Sequence, residues 1–183
     1  MSALRARLKQ LLVVSALGED RPGILHDFAR AVRDCGCNVA ESRMTVLGGE
    51  FAMLLLVSGN WNNITKLEGA LPKLEQNLGL TISARRTSER EPRHNLLPYA
   101  IDVVCLDQPG IVYNLANFFA QRKIGIADVA TRSYPAAHTG APMFAVQMAV
   151  NIPADLHIGA LREEFMDFCE DLNLDAIMEP IKA

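Results

Sequence analysis

Two short stretches carry the same chemistry. Asp20, Pro22 and Gly23 in EDRPGIL (19–25) are matched by Asp107, Pro109 and Gly110 in LDQPGIV (106–112). Each stretch follows an apolar run and opens a helical pattern. A strand that ends in Asp-x-Pro-Gly and enters a helix presents the helix's first backbone N–H groups at the positive end of its dipole. Such groups hold carboxylates and phosphates. Gly23 and Gly110 remove side chains where a ligand would approach. Asp20 and Asp107 add an acceptor beside the same spot. A carboxylate next to bare amides fits a small zwitterion: the amides take its α-carboxylate, and the aspartate or a strand carbonyl takes its ammonium. The same residues also fit plain capping, with Asp as the N-cap and Pro-Gly as turn chemistry. Local sequence leaves both readings open.

The elements around these corners repeat as well. An offset of 87 aligns Ile24, Leu25, Phe28, Ala29 and Val32 with Ile111, Val112, Leu115, Ala116 and Phe119, the spacing expected of one buried helix face. The same offset sets NVAE (38–41) against GIAD (125–128). FAMLLLV (51–57) then matches FAVQMAV (144–150) at an offset of 93. The six extra residues fall in SYPAAHTGAP, which reads as an elongated hairpin loop. The chain is a duplication.

Each copy reads strand, helix, strand, strand, helix, strand. The first strands are expected at 10–17 and 97–104, and the first helices from about Pro22 to Cys35 and from Pro109 to Lys123, with proline just inside each helix. Gly48-Gly49 marks a tight hairpin. Gly79 and Asn173 occupy equivalent left-handed positions after the second helices, and Pro72 should kink or divide the second helix of the first copy. The order βαββαβ predicts an α+β chain of two ferredoxin-like units, each an antiparallel sheet with helices on one face. Apolar sheet edges suggest that the two units pair side by side. The expected boundaries are 8–87 and 95–182, joined by a polar linker at 88–94.

Bulk properties narrow the function. Half of the 183 residues are apolar, 21% are charged, and the net charge is −3. This composition supports a folded core and gives no footprint for direct nucleic-acid binding. No apolar run reaches the ~20 residues of a membrane helix. The N-terminus has a signal-like charge pattern but no cleavage site, so a cytoplasmic location is expected. The four cysteines read as reduced, buried thiols rather than as a metal site. Histidines 26, 94, 138 and 157 fall in no nucleophile or zinc motif. A non-enzyme without cofactor is expected.

The Asp-Arg-Pro-Gly-Ile-Leu corner, followed by Cys-x-Asn-Val-Ala-Glu on the next strand, resembles the ACT domain, a regulatory module that binds amino acids. Two such units fill nearly the whole chain, and tandem chains of this length are similar to the glycine cleavage system transcriptional repressor group. The resemblance implies ligand contact where the first loop of one ACT unit faces the second strand of another. The loop positions are then Asp20, Gly23, Ile24 and Leu25, with Asp107, Gly110, Ile111 and Val112. The strand positions are Asn38 and Val39, with Gly125 and Ile126. Asn38 offers an amide side chain where Gly125 offers only backbone, so the two sites should not bind equally. The small pocket implied by Gly, Ile and Leu favours glycine, serine or alanine over larger ligands, with glycine or serine foremost.

Three functions follow as expectations. The chain is an amino-acid sensor that controls transcription through a protein partner, for which the resemblance implies a LysR-type regulator. Otherwise it is a regulatory subunit of a separately encoded enzyme, or a dimerisation module without ligand. A homodimer is expected. Replacing Gly23 with valine is expected to abolish binding at the first site and leave the fold intact.

Overall fold

The computed structural model describes residues 9–89 and 95–181. The expected linker at 88–94, His94, the signal-like segment before residue 9 and the expected unit ends at residues 8 and 182 fall wholly or partly outside it. The chain divides into two compact units, Met1–Glu91 and Pro92–Ala183. The first contains β1 (Gln10–Glu19), α1 (Ile24–Asp34), β2 (Asn38–Leu47), β3 (Glu50–Gly59), α2 (Trp61–Leu78) and β4 (Thr81–Thr87). The second contains β5 (Leu96–Leu106), α3 (Ile111–Gln121), β6 (Gly125–Pro135), β7 (Pro142–Pro153), α4 (Ile158–Asp171) and β8 (Asp175–Pro180). Both sheets are antiparallel and four-stranded, in the orders β2-β3-β1-β4 and β6-β7-β5-β8. This is the predicted ferredoxin-like arrangement, built twice.

Each core lies between one sheet face and two helices. Leu12, Val14 and Ala16 alternate along β1 and meet Ile24, Phe28 and Val32 of α1. Alternation along β5 brings Ile101, Val103 and Cys105 against Ile111, Leu115 and Phe119 of α3 in the same way. The buried helix stripe is narrower than its apolar spacing suggested. Leu25 is 46% exposed and Val112 39%, because a ~100° step per residue places them on the flank of the face set by i, i+4 and i+8. Among the described residues, no polar or charged side chain is buried.

The turns explain where the elements stop. Gly48 and Gly49 connect β2 to β3 in two residues, with Gly48 at φ 64°. The matching connection in the second unit runs from Ala136 to Ala141 and closes with Ala136 N–H donating to Ala141 C=O at 2.8 Å. Only part of the six-residue insertion is loop; Pro135 and Pro142 pair with each other and lengthen the strands. Gly79 (φ 66°) and Asn173 (φ 55°) end the second helices in the left-handed conformation, as their positions predicted. Pro72 does not divide α2, which continues through it to Leu78.

At the start of α2, Asn60 Oδ1 accepts from Asn63 N–H at 2.8 Å, and Asn63 Nδ2 donates to Gly36 C=O at 2.7 Å. The cap is thereby tied to the turn after α1. Asn60→Ala removes the acceptor and is expected to cost about 1 kcal/mol in urea unfolding; a change within experimental error would show that solvent replaces the cap.

All four cysteines are free; Cys35, Cys105 and Cys169 are buried and Cys37 is half-buried. Burial pushes the Cys169 thiol up to about 11, so it carries almost no thiolate near neutrality. Iodoacetamide is expected to leave Cys169 unmodified in the native protein and to label it fully in urea. Peptide mass mapping reads both, and native labelling would contradict the burial.

Candidate ligand site

At the first corner, β1 ends at Glu19, and Asp20 N–H donates to Gly49 C=O at 3.0 Å. This bond fastens the corner to the tip of the β2–β3 hairpin. The chain then passes Arg21 and Pro22 to Gly23, which stands at φ 95° and ψ −9° as the N-cap of α1. The helix begins two residues later than its proline suggested, and Pro22 belongs to the turn before it. Gly23 accounts for the shift. A left-handed residue between the turn and Ile24 breaks helical geometry, and glycine adopts it without the clash a Cβ would suffer.

The second corner repeats this geometry. Asp107 N–H donates to Pro142 C=O at 2.8 Å, and Gly110 stands at φ 93° and ψ −4°. The first helical bonds run from Asp27 N–H to Gly23 C=O and from Asn114 N–H to Gly110 C=O, at 3.0 and 2.9 Å. Neither helix has a side-chain cap. Plain N-capping by Asp20 and Asp107 is therefore not what the aspartates do, since each lies three residues before the cap position.

The corners differ in their carboxylates. Asp107 Oδ2 accepts from Ser133 Oγ on β6 at 3.0 Å. The position equivalent to Ser133 is Val46 on β2, which has no hydroxyl, so Asp20 lacks this bond. Ser133 escapes sequence reasoning because it lies 26 residues beyond Asp107 and reaches it only through strand pairing. His26 lies in the first turn of α1, exposed, with Nδ1 3.3 Å from Asp27 Oδ1.

The proposed positions fall into separate groups within each unit. Ile24 and Ile111 are 2% and 4% exposed and turn their side chains into the cores, so at the corner they offer backbone only. Leu25 and Val112 are exposed beside it. Asn38 and Val39 lie far away. Asn38 pairs with Ser58, which is level with Leu11, whereas the corner leaves β1 after Glu19. Eight residues of strand separate those levels by about 27 Å. Gly125, paired with Asn151 and level with Pro98, stands equally far from the corner after Leu106. No single unit brings its loop and strand positions onto one small ligand.

The strand positions share a feature that sequence reasoning missed. Pairing of β2 with β3 shifts between Val39 and Glu41, and pairing of β6 with β7 shifts between Ile126 and Asp128. Each β-bulge leaves one alanine, Ala40 or Ala127, without a paired residue and re-aims the strand next to the proposed positions. Both bulges lie at the offset of 87, so the duplication preserved them.

Among the described residues, no group of three His, Cys, Asp or Glu side chains is placed to hold a metal, and no helix is long and apolar enough to cross a membrane. Comparison with known proteins shows the family. The ACT domain family matches residues 10–85, which fall in the first unit. The glycine cleavage system transcriptional repressors of Escherichia coli (strain K12) and Shigella flexneri are each 34% identical over 162 residues, covering 88% of this chain and 85% of theirs. An unknown protein from Galdieria sulphuraria superposes with a TM-score of 0.77 at 32% identity, over 95% of this chain and 99% of that one. A solved structure assigned as a glycine cleavage system transcriptional repressor gives a TM-score of 0.73 at 32% identity, over 96% and 99%. With two ferredoxin-like units and this likeness across most of its length, the chain belongs to the family of ACT-domain regulators that includes the glycine cleavage system transcriptional repressors.

Proposed function

We propose that the protein is an amino-acid sensor that binds a small amino acid, glycine or serine, and modulates transcription of glycine cleavage genes through a protein partner. The observation that carries this reading is the duplicated corner. Twice, a left-handed glycine opens a helix that no side chain caps, three residues after an aspartate. The first-turn amides take the ligand carboxylate, Asp20 or Asp107 takes its ammonium, and Leu25 or Val112 shields it from water. Asn38, Val39, Gly125 and Ile126 complete the contacts from another copy of the ACT fold, since one unit holds its own loop and strand positions at opposite ends of its sheet. The protein performs no chemistry on the ligand.

Likeness to repressors of the glycine cleavage system supports the regulatory role, and the family resemblance points to a LysR-type regulator as the partner. A net charge of −3 favours action through that partner over direct contact with DNA. The signal is linkage: a ligand that stabilises one arrangement of a homodimer changes the affinity of a partner that prefers or rejects that arrangement. Isothermal calorimetry with glycine and serine is the test. Saturable heat with one or two sites per chain supports the sensor, and no heat from folded protein overturns it. Capture of a transcription regulator from lysate that changes with added glycine would then separate the sensor from an enzyme subunit.

A further inference from the structure

The two copies differ on the sheet face turned away from the helices. In the second unit, Asp102 of β5, Gln147 of β7 and Ala130 of β6 lie abreast, and two pairs farther along, on the same face, Ala145 stands beside Arg132. These residues and Tyr134 surround a depression of about 550 Å³. Alanine methyls form its floor, and charges of both signs stand on its rim. Gln147 Nε2 donates to Asp102 Oδ1 at 3.1 Å and steadies the carboxylate. Asp102 and Arg132 stand on the two strands that flank β7, two residues apart in register, so their Cα atoms are about 12 Å apart. Both residues line the depression, and an arginine side chain is long enough to reach across part of that separation.

The fold does not require this arrangement. At the same register positions the first unit carries Ser15 for Asp102, Leu54 for Gln147 and Thr45 for Arg132, and Arg43 fills the place of Ala130. The depression also differs from the Asp107–Gly110 corner. Asp107 bonds Ser133, and alternation along β6 puts Ser133 on the opposite face from Arg132 and Tyr134. We propose that this depression is a separate site for a zwitterionic amino acid with an aliphatic side chain. Arg132 takes the carboxylate, Asp102 with Gln147 beside it takes the ammonium, and the alanine floor receives the side chain.

An amide-resolved NMR titration of the full chain with L-leucine tests this. Saturable shifts are expected at Ala130 and Ala145, with affinity at least tenfold weaker in both Arg132→Gln and Asp102→Asn. Both residues are exposed, so the thermal unfolding midpoint of each variant should stay at the wild-type value. Shifts confined to Gly23 and Gly110, an absence of saturable shifts at Ala130 and Ala145, or unchanged affinity in both variants would overturn the site. Glycine binding at the corners should be the same in the variants as in the wild type, so failure of this site is distinguishable from failure of the sensor reading.

Discussion

Phe165→Ala is expected to lower the stability of the second unit by about 3–5 kcal/mol. Phe165 is fully buried on α4 and lies 5.2 Å from the Phe118 ring and 5.5 Å from the Phe119 ring, centroid to centroid. Phe118 and Phe119 meet edge to face at 5.3 Å, and Phe168 approaches Phe118 at 4.9 Å. These four rings pack the two helices of the unit together, and Arg122 at the end of α3 pairs with Glu164 of α4 beside them. Removing the central ring leaves a void that its neighbours cannot fill without leaving their rotamers. A small domain has a total stability of about 5–15 kcal/mol, so the loss should bring the second unit close to unfolding at moderate urea. Leu71, at the equivalent place in the first unit, belongs to a core in which Val32 and Leu74 stand where the second unit has Phe119 and Phe168, and Leu71→Ala should cost about 2–5 kcal/mol. Urea unfolding followed by circular dichroism measures both. A loss below about 1 kcal/mol for Phe165→Ala would show that the cluster collapses around the gap.

The second large effect concerns the corner glycines. Gly23 and Gly110 stand at φ 95° and 93°, and a Cβ at Gly23 would meet nothing within 4 Å. The cost of a side chain there lies in the backbone, about 1–3 kcal/mol, with β-branched residues at the upper end. Gly23→Val is therefore expected to abolish ligand binding at its corner and to leave the first unit folded but less stable. Asparagine tolerates this conformation far better. Gly23→Asn should keep stability within about 1 kcal/mol of wild type and still block the amides with its side chain. Calorimetry of Gly23→Asn and Gly110→Asn with glycine should each show the loss of one site. Unchanged stoichiometry in Gly23→Asn would remove that corner from the ligand site.

The difference between the two variants shows how far local sequence reading carries. Gly23 was legible as a position without a side chain, because Pro-Gly before a helix has few other uses. Its conformation was not, because the starting point of α1 depends on where β1 stops, and β1 stops where its pairing with β3 ends at Glu50. The same reasoning covers Asp107. Its acidic character was visible, but its bond to Ser133 depends on β6 and β5 lying on either side of β7. The proposed site residues were legible only as a set of types and spacings; the registers put loop and strand members at opposite ends of each unit.

The sequence by itself determined the duplication, the order βαββαβ, the Gly48-Gly49 hairpin and the left-handed helix ends at Gly79 and Asn173. Each of these depends on residues within one element or one turn, where φ preferences and side-chain periodicity act without distant partners. Tertiary structure alone decided the helix starts at Gly23 and Gly110, the bulges at Ala40 and Ala127, the exposure of Leu25 and Val112, and the charged depression beside Asp102. Those features depend on strand register and on which face a helix lays down, which are set by the summed burial of residues far apart in the chain.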